Sequence, residues 1–219
     1  MSTDARTPAP NRPGPPDATG QDAGVEGNAR LTASNGLLLI ALLAVEGVTI
    51  LNVRQMITLH MYLGIMLLGP VLLKTASTVY RFVRYYRGAE PYRRKGPPHP
   101  VLRLIGPALI LTTLAVLGTG IGLIATGPRH REPLLTLHQA SFIAWVALIA
   151  VHVLGHLRAA TLETWHDLRP VPGDAASTRR ATRAAAVITA LLVGVGAATA
   201  LMPSATAWTS AHIASDHNH

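Results

Sequence analysis

Five apolar stretches, separated by short polar segments, dominate the pattern of hydrophobic and polar positions along this chain. Each is close to the ~20 residues that an α-helix needs to cross ~30 Å of hydrocarbon. The first two are joined by a very short connection, which indicates a tight antiparallel hairpin. The pattern therefore predicts an all-α integral membrane bundle of about five transmembrane helices, at residues 31–53, 56–80, 101–126, 133–157 and 184–202.

Polar segments flank and interrupt these stretches. Residues 1–30 contain five prolines and four glycines but no leucine, isoleucine or aromatic residue, a composition that predicts a disordered tail. The tail lacks the basic start and apolar core of a signal peptide, so we expect it in the cytoplasm. We expect a four-helix bundle over residues 31–157, a basic cytoplasmic loop over 158–183, and an external histidine-containing tail over 203–219.

The distribution of lysine and arginine predicts the orientation of the bundle. Three lie in the N-terminal tail, seven follow the second stretch and five follow the fourth, whereas the opposite side of the membrane carries only three. Cytoplasmic loops of membrane proteins are enriched in these residues. We therefore expect a multi-pass protein of the plasma membrane with its N-terminus in the cytoplasm and its C-terminus outside.

Composition narrows the classes of function. Only 14 % of the residues are charged, against about 25 % in soluble domains, and the net charge is +8. The basic residues adjoin the apolar stretches, which favours contact with lipid headgroups over nucleic acid. The chain contains no cysteine, which excludes disulfides, cysteine-bound iron–sulfur clusters and covalent haem attachment. Non-covalent cofactors remain possible.

Four histidines fall within the predicted helices, where ionisable side chains are costly and are candidates for function. Of these, His156 ends the fourth helix beside Arg158 and is expected at the membrane interface, which leaves His60, His138 and His152. His60 lies ~6 Å and His138 ~7.5 Å below the starts of the second and fourth helices, which run in the same direction. At equal depth, the two imidazoles can face each other as axial ligands of one haem iron. Gly64, one turn below His60, would leave room for a porphyrin. Packing histidines without a cofactor are the alternative.

The third histidine suggests a second site on the fourth helix. His152 lies fourteen residues after His138, a spacing that returns to within ~40° of the same helix face, ~21 Å further along. The spacing places one site towards each membrane surface.

This arrangement resembles the cytochrome b membrane subunits of formate dehydrogenase and nickel–iron hydrogenase. The resemblance covers about residues 31–157 and implies that His60 and His138 bind an outer haem b, with His152 as the inner ligand on the fourth helix. The family's inner haem also needs a histidine near the start of the first helix, where this chain reads Thr-Ala-Ser-Asn-Gly at 32–36. The resemblance therefore implies one haem rather than two. Segments 59–64 and 137–142 are also similar to parts of an uncharacterised bacterial family of small membrane proteins.

Two further ionisable residues within the helices have two interpretations each. Lys74, near the predicted depth of His152, would contact a haem propionate, a quinone oxygen or a lipid phosphate, or would extend to the cytoplasmic headgroups. Glu46, near the predicted depth of His60, would accept the Nδ1–H of a ligand histidine or take part in proton transfer. It could instead be a carboxyl kept neutral by burial.

The leading hypothesis is a transmembrane b-type haem protein that relays electrons between the quinone pool and a partner oxidoreductase. The chain has no dinucleotide fingerprint, phosphate-binding loop or nucleophile–base pair, so we expect a relay or subunit rather than a stand-alone enzyme. The alternative is a haem-free membrane scaffold or small transporter, in which these residues form a polar network.

Overall fold

The computed structural model describes the backbone of residues 18–94, 100–128, 131–168, 174–206 and 208, and the side chains of most of these. Within these residues the regular structure is entirely helical. The helices are α1 (Ala18–Leu51), α2 (Val53–Met66), α3 (Leu68–Tyr86), α4 (Glu90–Arg94), α5 (Pro100–Thr126), α6 (Glu132–Leu168) and α7 (Asp174–Leu201), followed by a 3₁₀ turn at Met202–Ala205. The all-α prediction is confirmed for this part of the chain.

Five of the helical segments are long and apolar enough to cross a membrane, as predicted. They are Gly24–Leu51, Val53–Tyr86, Leu104–Thr126, Glu132–Leu154 and Arg179–Ala205. Large apolar side chains are exposed along them, for example Leu104, Leu154 and Ile143. Such extensive apolar surface fits a lipid environment and does not fit a soluble monomer.

The polar segments contain more helix than the sequence predicts. α1 begins at Ala18, within the segment for which the sequence predicts disorder, while residues 1–17 lie outside the described part of the chain. Val25 and Ala29 are buried, and the Asn28 amide donates a hydrogen bond to the carbonyl oxygen of Ser77. Contacts with α3 and α4 therefore stabilise a segment whose composition alone would not.

The predicted basic loop at residues 158–183 is also largely helical. α6 continues to Leu168 and α7 already begins at Asp174. Residues 169–173 lie outside the described part of the chain. α6 and α7 therefore extend beyond the apolar stretches that the sequence predicts to span the membrane.

The second span is interrupted at Leu67, between α2 and α3. Pro70, early in α3, has no N–H to donate to the carbonyl of Met66, and its ring crowds the preceding turn. The interruption faces α7. A Cβ added to Gly194 of α7 would overlap the Met66 carbonyl oxygen, and a Cβ added to Gly69 of α3 would overlap the Ala190 carbonyl oxygen of α7. Two glycines thus permit backbone-to-backbone contact between the second and fifth spans.

The remaining contacts define the bundle. α1 packs against α2, α3 and α6, while α5 and α6 form an antiparallel hairpin. The Trp145 indole N–H donates to the Thr113 hydroxyl across that hairpin, at 2.9 Å. α7 packs against α2 and α3, whereas α2 and α6 do not pack along each other within the described residues. α2 and α6 are thus separated in the bundle.

Candidate functional site

Side chains from α1, α2 and α6 meet near one end of the bundle. Glu46 lies between one and two turns before the end of α1. His60 lies about two turns after the start of α2, and His138 about two turns after the start of α6. The short connection at Asn52 brings α2 back antiparallel to α1, so Glu46 and His60 are at the same depth. Three helices therefore deliver three ionisable side chains to one level.

The imidazole rings of His60 and His138 lie opposite each other across the gap between α2 and α6. Their centroids are 6.4 Å apart and their planes are inclined at 77°. The side chain of His60 is 22 % exposed, and His138 is also partly buried. The predicted proximity of these two histidines is confirmed.

A buried carboxyl group orients His60. The Nδ1 atom of His60 lies 2.7 Å from Glu46 Oε1 and 3.3 Å from the Thr49 hydroxyl. That hydroxyl lies 2.6 Å from the Glu46 carbonyl oxygen and 3.2 Å from Glu46 Oε2. An ionised Glu46 can only accept, so in that state Nδ1 would carry the hydrogen and the lone pair of a neutral His60 would be on Nε2.

His138 is also held through its Nδ1 atom, in this case by two groups of α5. Its Nδ1 lies 3.1 Å from the carbonyl oxygen of Val116 and 3.0 Å from the Thr119 hydroxyl. A carbonyl only accepts, so Nδ1 again carries the hydrogen and Nε2 the lone pair. Gly120 makes room for the ring, since a Cβ there would lie 3.3 Å from His138 Cε1.

These partners leave the Nε2 atom of each ring as the nitrogen that can bind a metal. Two imidazoles on opposite sides of one metal ion have ring centres roughly 6 Å apart, because each metal–nitrogen bond is about 2 Å and each nitrogen lies about 1 Å from its ring centre. The observed 6.4 Å agrees with that separation. The described residues contain no group of three or more metal-ligating side chains, as a structural zinc site would need. Two imidazoles alone could hold only a metal ion that takes its other ligands from elsewhere.

Gly64 lies one turn after His60 on α2. The sequence predicts that its missing side chain leaves room for a porphyrin, and a Cβ added there would be in ordinary contact with Glu46 Oε1, at 3.7 Å. Gly64 thus lies beside the carboxyl group. Thr49, Thr119 and Gly120 were missed by the sequence reasoning because hydroxyls and glycines are common in membrane helices and only packing reveals their neighbours.

A second polar cluster joins α1 to α3 further along the bundle. The Lys74 ammonium donates to the Thr32 carbonyl oxygen at 2.7 Å and lies over Gly36, where a Cβ would be 2.9 Å from Nζ. The buried Asn35 amide donates to the Pro70 carbonyl oxygen at 2.8 Å. The interpretation of Lys74 as extending to the headgroups is therefore wrong, because its ammonium turns into the interface between helices.

This cluster occupies the stretch of α1 in which the cytochrome b resemblance would require a histidine. The Thr32 hydroxyl also pairs with the Ser77 hydroxyl at 2.9 Å. His152 is partly buried on α6, and no histidine occurs in the first predicted helix to oppose it. Residues 32–36 therefore hold two helices together.

No protein-family model, curated protein or solved structure matches this chain. The resemblance to cytochrome b subunits accordingly rests on the spacing of the histidines alone. Any functional conclusion has to come from the geometry of the site.

Proposed function

We propose that this chain is a membrane-embedded b-type haem protein that relays electrons between the quinone pool and a partner oxidoreductase. One observation carries the proposal: two imidazoles from different helices lie 6.4 Å apart, and the hydrogen bonds of both rings are made through Nδ1. Ligand histidines in metalloproteins characteristically donate this second N–H to a carboxylate or carbonyl.

His60 and His138 would hold the iron through Nε2. Glu46 and the Val116 carbonyl keep the two rings in the required tautomer and limit their rotation. The bound haem would supply a one-electron ferric/ferrous couple, and a pair of histidine ligands would favour electron transfer over oxygen binding. The surrounding apolar helices limit access of water to the pair.

We propose that the chain lies in the plasma membrane with its N-terminus in the cytoplasm and its C-terminus outside, on the basis of the charge asymmetry. Its membrane-soluble partner would be a quinone near Lys74 and His152. In support, the Lys74 ammonium already donates to a carbonyl oxygen, the type of acceptor that a quinone presents.

The absorption spectrum of the purified full-length protein tests the proposal. We expect the Soret and split visible bands of a low-spin b haem. His60→Gly and His138→Gly should each lose the low-spin bands, and added imidazole should restore them by occupying the vacated position. His152→Ala is the matched control on the same helix as His138 and should keep the wild-type spectrum.

A specific observation also supports the haem-free alternative, a scaffold or small transporter. Glu46, His60 and Thr49 form a hydrogen-bonded group that needs no cofactor. If protein produced with an ample haem supply is colourless, and haemin added to it gives no low-spin bands, the haem proposal is overturned. The alternative then stands.

A further inference from the structure

The two histidines of the pair have partners of different charge. His60 Nδ1 lies 2.7 Å from a carboxyl oxygen of Glu46. The partners of His138 Nδ1 are neutral, namely the Val116 carbonyl and the Thr119 hydroxyl. The two sides of the site are therefore chemically unequal, although the ring positions are similar.

The carboxyl group is fixed by its surroundings. Glu46 is only 7 % exposed and Thr49 is fully buried. The Thr49 hydroxyl contacts both Glu46 Oε2 and His60 Nδ1. Oε1 of Glu46 is thus directed to the imidazole, while Oε2 lies 3.2 Å from the Thr49 hydroxyl, which itself donates to the Glu46 backbone carbonyl oxygen at 2.6 Å.

A carboxylate that accepts Nδ1–H makes the opposite nitrogen of the ring a stronger electron donor, because it draws the hydrogen away from the imidazole. The effect is strong where water is scarce, since the local dielectric constant is low. A more electron-rich ligand, together with a nearby negative charge, stabilises ferric over ferrous iron. The neutral partners of His138 exert less of this effect.

We infer that Glu46 is a positioning residue that makes His60 the stronger donor of the two ligands and lowers the reduction potential of the centre. This inference rests on the proposed function. Glu46 belongs to α1, so the helix that supplies no iron ligand supplies the group that adjusts the potential. Thr49 acts with it by keeping the carboxyl group aimed at His60.

Potentiometric titration of the purified protein, followed by its visible spectrum, tests the inference. Glu46→Gln keeps the size of the side chain and an oxygen acceptor but removes the charge, and it should raise the reduction potential while the low-spin spectrum is retained. Thr49→Val should raise it by a smaller amount. Thr119→Val is the corresponding change on the His138 side, because Thr119 contacts His138 as Thr49 contacts His60. It should shift the reduction potential less than Glu46→Gln does.

The outcomes separate the inference from the proposed function. A wild-type protein without haem overturns both. A wild-type haem spectrum, with a potential in Glu46→Gln that is unchanged or lower, overturns the inference alone, as does an equal shift in Thr119→Val. If Glu46→Gln does not fold or bind haem, Thr49→Val decides: a raised potential supports the inference and an unchanged one overturns it.

Discussion

The Nζ atom of Lys74 lies 2.7 Å from the carbonyl oxygen of Thr32, so that a cation of α3 is bound by the backbone of α1. Charged groups in the membrane are commonly paired with backbone carbonyls, since no water is available to solvate them. The bond joins the first and second spans at a level well separated from the histidine pair. It therefore stabilises the bundle without contacting the candidate site.

Lys74→Ala should destabilise the protein without altering the haem spectrum. Loss of the interhelical hydrogen bond should cost roughly 1 kcal/mol, measurable as a lower thermal midpoint in detergent. Arg54→Ala removes an exposed cation at the opposite end of the second span and should leave the midpoint unchanged. Loss of the haem bands in Lys74→Ala would show that Lys74 belongs to the haem site. The same variant should be reduced more slowly by a quinol if the quinone lies beside Lys74.

Gly194→Ala should be strongly destabilising, because the added methyl group would overlap the Met66 carbonyl oxygen. Overpacking typically costs about 1–3 kcal/mol, and a clash with backbone has little scope for relief by side-chain rotation. Gly196→Ala is the matched control on the same helix, since nothing lies within 4 Å of its added Cβ. Equal thermal midpoints for the two variants would show that α7 does not approach α2 this closely.

The number of haems per chain should be one. The proposed ligand pair would account for one iron, and the first predicted helix has no histidine to oppose His152. The ratio of extracted haem to protein should therefore be close to one in both the wild type and His152→Ala. A ratio close to two, falling to one in His152→Ala, would contradict this prediction.

The C-terminus should lie outside the cell. Five helices within the described residues are long and apolar enough to cross a membrane, and an odd number of crossings would place the two termini on opposite sides. A reporter active only outside the cytoplasm should be active when fused after His219 and inactive when inserted at residues 95–99. The reverse pattern would invert the proposed orientation.

Much of the fold could be predicted from the sequence because length and apolarity are sufficient to identify a spanning helix. The depth of His60 and of His138 could be predicted as well, since the rise per residue of a helix is fixed. Their opposition across α2 and α6 followed from equal depth. The predicted proximity of Glu46 to His60 followed in the same way, and the structure adds the 2.7 Å contact.

What could not be predicted depends on rotation about the helix axes and on packing. The contact of Gly64 with Glu46 could not be predicted, because sequence spacing gives the face of a helix but not the partner of that face. The helix at residues 18–30 was missed because its stability comes from contacts of Val25 and Ala29 in the folded bundle. The direction of Lys74 likewise depended on a carbonyl that only the folded structure brings within reach.

The contact between Met66 and Gly194 has a consequence for how the protein is made. The second span is synthesised before α7, and Pro70 cannot donate to the Met66 carbonyl. A carbonyl without a partner in hydrocarbon is costly, so we expect a chain truncated before α7 to expose this carbonyl at the surface of the remaining bundle. Such a truncated chain should accumulate to a lower level than the full-length protein.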